Sequence, residues 1–136
     1  MPTRILFVDD EPDIRSVVKL QLTAEGFEVE TAASGERVIE TLEQATFDVV
    51  LLDMHMPGKD GIQVLKEMRE RKISTPVIML TAERELPMAI KAMNLGIDDY
   101  LTKPFFEKHL VAAIRRALQK RGKQNQPATT ETRKRS

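Results

Sequence analysis

The sequence predicts an α/β fold, a doubly wound five-stranded parallel sheet in the order 2-1-3-4-5 with helices on both faces. Five short strand candidates alternate with segments of helical periodicity, which is the pattern of repeated strand–helix units. Residues 49–52 (VVLL) are apolar without interruption, which indicates a strand that is buried on both faces of a sheet. Right-handed crossovers between parallel strands then carry the helices to either side.

Each of the five predicted strands precedes a helical segment; three are mainly apolar runs, and the second and fifth are short segments around Val29 and around Tyr100 and Leu101. They cover residues 4–8, 28–31, 47–52, 76–80 and 99–102. Each is four to six residues long, a usual length for a strand in a compact domain, and glycine, proline or polar residues separate it from the next element.

The five helices are predicted from apolar residues at three- and four-residue spacing. The first begins at Pro12, which suits a first turn, and ends before Gly26. Ser34 can cap the second, Gly61 opens the third, and Gly96 closes the fourth. The fourth helix covers residues 86–95. The apolar positions of the other four are Ile14, Val17, Val18 and Leu22; Val38, Ile39 and Leu42; Ile62, Leu65 and Met68; and Leu110, Ile114 and Leu118.

The chain divides into a globular body and a short polar tail. Residues 1–121 are long enough for one domain with a sizeable core. Residues 122–136 contain no aliphatic side chain larger than alanine apart from proline. Because such a segment cannot bury enough apolar surface to offset the entropy of ordering, we predict a disordered basic tail or linker there.

Composition and charge exclude several classes of function. Of the 21 basic and 21 acidic residues, six basic and one acidic lie at or after Lys120, so residues 1–119 carry 15 basic and 20 acidic residues. An acidic body repels phosphates, which argues against direct nucleic-acid binding. The chain has no apolar run of about 18 residues that could span a membrane. With no cysteine and two histidines, a zinc site is not expected, and a cytoplasmic location fits.

Four of the predicted strands end in polar residues that share one chemical theme. Asp9 and Asp10 follow the first strand, Asp53 the third, Thr81 the fourth and Lys103 the fifth. All of these ends lie at the same edge of a parallel sheet, and strands one and three are neighbours at the switch point. Converging carboxylates need a hard cation, for which Mg²⁺ is expected, with Mn²⁺ as an alternative. A hydroxyl and an ammonium group suit a phosphoryl group, so the residues predict an aspartate that accepts one.

These residues lie in four segments that resemble the receiver domain of two-component response regulators, whose fold is flavodoxin-like. The segments are FVDDEPDIR at residues 7–15, LLDMHMPGKDG at residues 51–61, MLTA at residues 79–82 and DYLTKPF at residues 99–105. Each is short, but all four occur in the family's order and each lies at a strand end. The resemblance covers residues 4–119.

The resemblance implies a role for each residue of the site. Asp53 would be the phosphoacceptor, and Thr81 and Lys103 would contact the phosphoryl oxygens. The oxygen ligands of the ion would be Asp9, Asp10, Asp53 and the backbone carbonyl of His55.

The resemblance also implies how the signal is passed on and reset. The Lys103–Pro104 peptide would be cis. Tyr100 would be the switch aromatic, which turns inward when Thr81 moves toward the phosphate. His55 and Glu83 would flank the incoming water and tune the lifetime of the phosphorylated state.

By the same resemblance, the chain would take its phosphoryl group from a sensor histidine kinase or a histidine phosphotransfer protein. It would catalyse only its own phosphorylation and dephosphorylation, and would not be an enzyme for another substrate. A downstream protein or output domain would recognise the face formed by the fourth helix, the fifth strand and the fifth helix, and a homodimer that forms on phosphorylation is compatible with this scheme. The polar tail fits either a single-domain regulator or the N-terminal receiver of a longer protein.

Two other functions are compatible with the same architecture. A Mg²⁺-dependent aspartyl-phosphate phosphatase usually needs a second acid two residues after its nucleophile, where this chain has His55. A flavodoxin-like cofactor binder needs a phosphate-binding loop after the first strand, where Asp9 and Asp10 would repel a phosphate. Met54 and Met79 are interpreted as packing residues and not as part of a cofactor site.

Overall fold

The computed structural model describes residues 2–124, apart from the side chains of Glu83, Leu86, Ala89 and residues 121–124. Strands and helices alternate, with short 3-10 turns before two of the helices. The elements are β1 (Arg4–Val8), α1 (Pro12–Ala24), β2 (Glu28–Ala32), a 3-10 turn (Gly35–Arg37), α2 (Val38–Gln44), β3 (Val49–Asp53), α3 (Gly61–Glu70), β4 (Val77–Ala82), a 3-10 turn (Glu83–Glu85), α4 (Leu86–Met93), β5 (Asp99–Lys103) and α5 (Glu107–Gln124).

The five strands form one parallel sheet in the order β2-β1-β3-β4-β5, which confirms the predicted fold class and strand order. Val8 pairs with Leu52, so the ends of β1 and β3 lie side by side. Asp53 pairs with Leu80, and Ala82 pairs with Lys103. The register therefore carries the polar residues of β3, β4 and β5 to one edge of the sheet, next to the end of β1.

Two apolar clusters, one on each face of the sheet, hold the helices. Successive residues of a strand point to opposite faces, so Val49 and Leu51 join one cluster and Val50 and Leu52 join the other. The first cluster contains side chains of α1 and α5, and the second contains side chains of α2, α3 and α4. All five residues of β3 are buried, including Asp53.

Four strands end later than the sequence pattern predicts: β2 by one residue, at Ala32, and three others in a way that concerns the site. We predicted ends at residues 52, 80 and 102, whereas β3 ends at Asp53, β4 at Ala82 and β5 at Lys103. Pairing between neighbouring strands continues through the polar residues, because Thr81 pairs with Thr102 and Ala82 with Lys103. The backbones of Asp53, Thr81 and Lys103 are thus held by the sheet, and not by the loops that follow it.

The helix boundaries differ from the prediction by a few residues. α4 ends at Met93, two residues early, because the chain turns at Asn94 and reaches a positive φ of 92° at Gly96. α5 continues to Gln124, so it includes three residues that were assigned to the tail. Residues 125–136 lie outside the described part of the chain, and the disordered tail stays a prediction there. Within residues 2–124, no helix combines the length and the apolar character that crossing a lipid bilayer requires.

Candidate functional site

The end of β3 places Asp53 between two other charged residues. The Nζ atom of Lys103 lies 3.3 Å from Oδ1 of Asp53 and 3.1 Å from Oδ2 of Asp9. Asp9 is fully buried, Asp53 is 4% exposed, and the Lys103 side chain is 23% exposed. The predicted carboxylates and ammonium group therefore form one contact network at the carboxyl edge of the sheet.

The polar groups of Asp9 are already engaged within the protein. Its Oδ1 accepts a hydrogen bond from the N–H of Glu11 at 2.9 Å, and its Oδ2 accepts one from Lys103. Its backbone N–H donates to the carbonyl of Ala32. Its own carbonyl accepts a hydrogen bond of 2.8 Å from the guanidinium of Arg15 on α1. Asp9 is thus a fixed part of the site's wall.

Asp10 completes a group of three carboxylates that fits a divalent cation. One oxygen each from Asp9, Asp10 and Asp53 can be chosen so that all lie within 4.8 Å of one another. Asp10 is partly exposed and has neither a hydrogen bond nor an ion pair with any residue in the described range 2–124. Hard cations such as Mg²⁺ prefer carboxylate oxygens, so this donor set fits the predicted ion.

The electrostatics of Asp53 reflect its burial beside a second acid. The pKa of Asp53 is raised from 3.8 to about 6, mainly by burial and to a smaller extent by the Asp9 carboxylate, while the positive charge of Lys103 opposes both effects. The N–H of His55 also donates to Oδ1 of Asp53 at 3.3 Å and favours the charged carboxylate. Asp53 is therefore an acid that is costly to ionise unless a cation compensates its charge.

The pKa of Lys103 is also raised, although burial acts on it in the opposite direction. Burial lowers the pKa of Lys103, but the Asp53 and Asp9 carboxylates outweigh this effect and raise it above its ordinary value. Lys103 is therefore held in its charged form beside the two acids. The peptide bond between Lys103 and Pro104 is cis.

Thr81 lies in β4 at the same edge of the sheet as Asp53 and Lys103, but its hydroxyl contacts Met54 and Ala82. It is fully buried. Its Oγ1 lies 3.6 Å from the sulfur of Met54 and 3.1 Å from the carbonyl oxygen of Ala82. Its hydroxyl is therefore within hydrogen-bonding distance of a thioether and of a backbone carbonyl.

The start of α3 packs closely against the backbone that carries Asp53. The N–H of Gly61 donates to the carbonyl of Met54 at 2.9 Å. A Cβ atom on Gly61 would lie 2.6 Å from the carbonyl oxygen of Asp53, so a larger residue does not fit here without a shift. Asp60 caps the helix in a capping box with Gln63.

The residues predicted to switch and to tune the site lie around its rim. Tyr100 in β5 is partly exposed and packs against the apolar cluster on the α2, α3 and α4 face. The side chain of His55 is 77% exposed, with Nδ1 3.3 Å from Oε2 of Glu85. The side chain of Glu83 lies outside what the structure describes, so its role and that of His55 stay predictions.

Three residues of the site were missed or misjudged by sequence reasoning. Arg15 contacts the Asp9 carbonyl from the first turns of α1, and its position shortly after the acidic pair was a usable signal. The contact of Glu85 with His55 depends on the 3-10 turn after β4, which no pattern in the sequence predicted. Met54 was interpreted only as packing, but its sulfur lies next to the Thr81 hydroxyl.

Sequence comparison relates the chain to one family. The profile of the family described as the response regulator receiver domain matches residues 5–115. The transcriptional regulatory protein TrcR of Mycobacterium tuberculosis is 38% identical over 127 residues, which are 93% of this chain and 49% of the relative. The transcriptional regulatory protein ResD of Bacillus subtilis is 40% identical, over 87% of this chain and 49% of the relative. The chain thus spans about half the length of these curated relatives.

Structure comparison leads to the same group of proteins. The chemotaxis protein CheY4 of Vibrio cholerae has a TM-score of 0.80 and 34% identity, and the match covers 87% of this chain and 100% of that one. A response regulator receiver domain protein of Clostridium thermocellum has a TM-score of 0.84 and 34% identity, over 90% of this chain and 98% of that one. The sequence comparison and the structure comparison therefore point to the same family of proteins.

Proposed function

The chain belongs to the family of response regulator receiver domains, and we propose that it is a phosphorylation switch whose acceptor is Asp53. One observation carries this assignment: Lys103 bridges Asp9 and Asp53 at the sheet edge, beside Asp10. A buried acid that is paired with a partly buried ammonium group at an open strand end is suited to accept a phosphoryl group.

In the proposed reaction, an Oδ atom of Asp53 attacks the phosphorus of a phosphohistidine on a partner protein. The O–P bond forms as the N–P bond breaks, and the departing imidazole nitrogen keeps the electron pair of that bond and takes a proton from solvent. Lys103 stays charged and balances the negative charge on the phosphoryl oxygens. Hydrolysis of the acyl phosphate by water returns Asp53 and inorganic phosphate, so the chain would catalyse only its own phosphorylation and dephosphorylation.

Mg²⁺ is the cofactor that we propose for this site, with Mn²⁺ as an alternative. Asp10 and Asp53 would supply its carboxylate ligands, together with the backbone carbonyl of His55. Asp9 would act mainly by orienting the site, because both of its carboxylate oxygens accept hydrogen bonds from protein groups. The ion would supply positive charge that neutralises the phosphoryl group during transfer.

The signal would leave the site through Thr81 and β5. A phosphoryl group on Asp53 adds charged acceptor oxygens at the strand end, toward which the Thr81 hydroxyl is drawn. Tyr100 pairs with Met79 in the sheet, and its side chain would then turn into the space beside β4. This shift would bias an existing equilibrium of the face formed by α4, β5 and α5, and a full reversal of that equilibrium needs roughly 5 kcal/mol.

The partners we propose follow from the family. The donor would be a sensor histidine kinase or a histidine phosphotransfer protein in the cytoplasm. The relatives described above are named transcriptional regulatory proteins, so we propose control of transcription as the output of the pathway. The α4, β5 and α5 face would contact the output partner or a second copy of the chain on phosphorylation.

Mapping the modified residue tests the proposed function. The full chain is incubated with a small phosphodonor such as acetyl phosphate and Mg²⁺, and the acyl phosphate is located by mass spectrometry after trapping with hydroxylamine. We expect modification at Asp53, none in the Asp53→Asn variant, and loss of modification when EDTA removes the metal. A folded wild-type protein that stays unmodified, or that is modified at another residue, would overturn the assignment.

A further inference from the structure

The hydroxyl of Thr81 is buried beside a weak hydrogen-bond acceptor. Thr81 is fully buried, and Met54 is 4% exposed, so water does not compete for this contact. The Oγ1–Sδ distance is 3.6 Å, and Oγ1 lies 3.1 Å from the Ala82 carbonyl oxygen. A hydroxyl has a single proton, so these two acceptors share it.

The Met54 backbone is held beside β4, and its side chain is buried there. Met54 directly follows Asp53, which pairs with Leu80 in the sheet, so Met54 lies next to Thr81. The N–H of Met54 donates to the Leu80 carbonyl at 2.8 Å, and its carbonyl accepts from Gly61 at 2.9 Å. These bonds hold the Met54 backbone, and its side chain is buried in the apolar cluster on the α2, α3 and α4 face, with the sulfur next to the Thr81 hydroxyl.

The strength of this contact decides how readily Thr81 can leave it. A thioether is a weak acceptor, whereas a charged phosphoryl oxygen makes hydrogen bonds about twice as strong as neutral ones. A buried hydroxyl with no acceptor, in contrast, carries a desolvation penalty. The sulfur therefore satisfies the Thr81 hydroxyl at rest without competing strongly against a phosphoryl group.

We propose that Met54 is a positioning residue of the switch, whose thioether holds the Thr81 hydroxyl in the unphosphorylated protein and releases it to the phosphoryl group. This role rests on the proposed function of Asp53 and adds a residue to it. Met54 directly follows the acceptor Asp53 in the sequence, and it thereby stabilises the unphosphorylated state of the switch.

Replacing the sulfur while keeping the apolar volume tests the role of Met54. In Met54→Leu, the Thr81 hydroxyl keeps only the Ala82 carbonyl, so the resting state loses stability relative to the phosphoryl-bound state. The matched control is Met79→Leu, since Met79 is also buried in the same cluster and has no hydroxyl partner among the described residues. Circular dichroism checks that both variants are folded.

The readout is the binding of beryllofluoride, a phosphoryl analogue, in the presence of Mg²⁺. Tyr100 is the only tyrosine and the chain has no tryptophan, so intrinsic fluorescence reports on this residue alone. We expect Met54→Leu to bind the analogue about two- to fivefold more tightly than wild type, the lower part of the range for losing one neutral hydrogen bond, because a thioether is a weak acceptor. Met79→Leu should bind like wild type.

A second measurement follows the sulfur directly. In spectra of ¹³C-methyl methionine, the Met54 methyl signal should move on addition of beryllofluoride, while the Met79 signal moves less. In Thr81→Ala without the analogue, the Met54 signal should move in the same direction, because the hydroxyl is gone. A Met54 signal that stays in place in both experiments would count against the contact.

The outcomes separate this proposal from the function on which it rests. If the wild type binds beryllofluoride but Met54→Leu binds it equally, the positioning role is wrong and the function of Asp53 stands. Equal tightening in Met54→Leu and Met79→Leu would also overturn the role, because general packing would explain it. If the wild type gives no response to the analogue and Asp53 takes no phosphoryl group, both proposals fail.

Discussion

In the folded chain, the ammonium nitrogen of Lys103 lies 3.3 Å from a carboxylate oxygen of Asp53, although 49 residues lie between them in the sequence. The same nitrogen lies 3.1 Å from Asp9. One lysine at the end of β5 thus compensates two buried acids at the ends of β1 and β3. This compensation decides how the site behaves with and without a phosphoryl group.

Replacing Lys103 with methionine should weaken the binding of a phosphoryl analogue. The variant loses a charged hydrogen-bond donor beside Asp53, and such a bond to a charged group corresponds to about a 10- to 100-fold change in affinity. Titration with beryllofluoride and Mg²⁺ measures the change. The control Lys108→Met removes an exposed lysine on α5 and should leave the affinity as it is. Equal affinities of wild type and Lys103→Met would contradict the role of Lys103.

Replacing Asp53 with asparagine should stabilise the metal-free protein, and the gain should depend on pH. The folded state holds the Asp53 proton up to about pH 6, whereas the unfolded chain loses it near 3.8. Wild type therefore loses stability as the pH rises from about 4 to about 6, because the folded state binds more protons over that range. Asparagine has no proton to lose. The difference between the two proteins should grow over this range, to roughly 3 kcal/mol, and stay constant above it.

Urea denaturation in EDTA at several pH values measures this difference. The same series with excess Mg²⁺ should reduce the advantage of Asp53→Asn, because a bound cation stabilises only the folded state of the wild type. A difference that is independent of pH between 4 and 7 would show that burial does not raise the pKa of Asp53 in the way described.

The charged residues of the site could be predicted from the sequence because their positions depend only on where the strands end. In a parallel sheet, every apolar run delivers the residue behind it to the same edge, so Asp9, Asp10, Asp53 and Lys103 could be placed together without knowing any loop. The contact of His55 with Glu85 could not, because it depends on the path of a 3-10 turn. The contact of Met54 with Thr81 depends on the register between β3 and β4, which apolar patterns alone do not determine.

Replacing Gly61 with alanine should destabilise the fold next to the acceptor. A Cβ atom there would lie 2.6 Å from the carbonyl oxygen of Asp53 and 2.8 Å from Cα of Met54, and both are backbone atoms of the site. Overpacking of this kind costs about 1–3 kcal/mol of the free energy of unfolding. The control is Lys66→Ala, which also introduces an alanine but at an exposed position of α3. Urea denaturation of both variants tests this, and equal stabilities would show that α3 can shift without cost.

Replacing Arg69 with alanine should loosen the C-terminal end of α4. Arg69, in the last turn of α3, donates to the carbonyls of Ile73 at 2.6 Å and Thr75 at 3.5 Å in the loop before β4. It also donates to the carbonyls of Leu95 at 3.3 Å and Gly96 at 2.7 Å, just after α4. One guanidinium group therefore ties the end of α4 to the α3–β4 loop.

The α3–β4 loop and the segment after α4 should separate when the Arg69 guanidinium is removed. We expect Arg69→Ala to lose about 1–3 kcal/mol of unfolding free energy, since carbonyl groups that are partly buried lose a charged donor. Amide hydrogen exchange should rise most in α4, where, among the side chains that the structure describes, Ala92 is fully buried whereas Met88, Ile90 and Met93 are 43%, 59% and 55% exposed. Arg71→Ala is the matched control, because Arg71 is 51% exposed and forms surface ion pairs with Glu43 and Glu67, which contribute little. If exchange in α4 rises equally in both variants, or in neither, then Arg69 does not hold this helix in place.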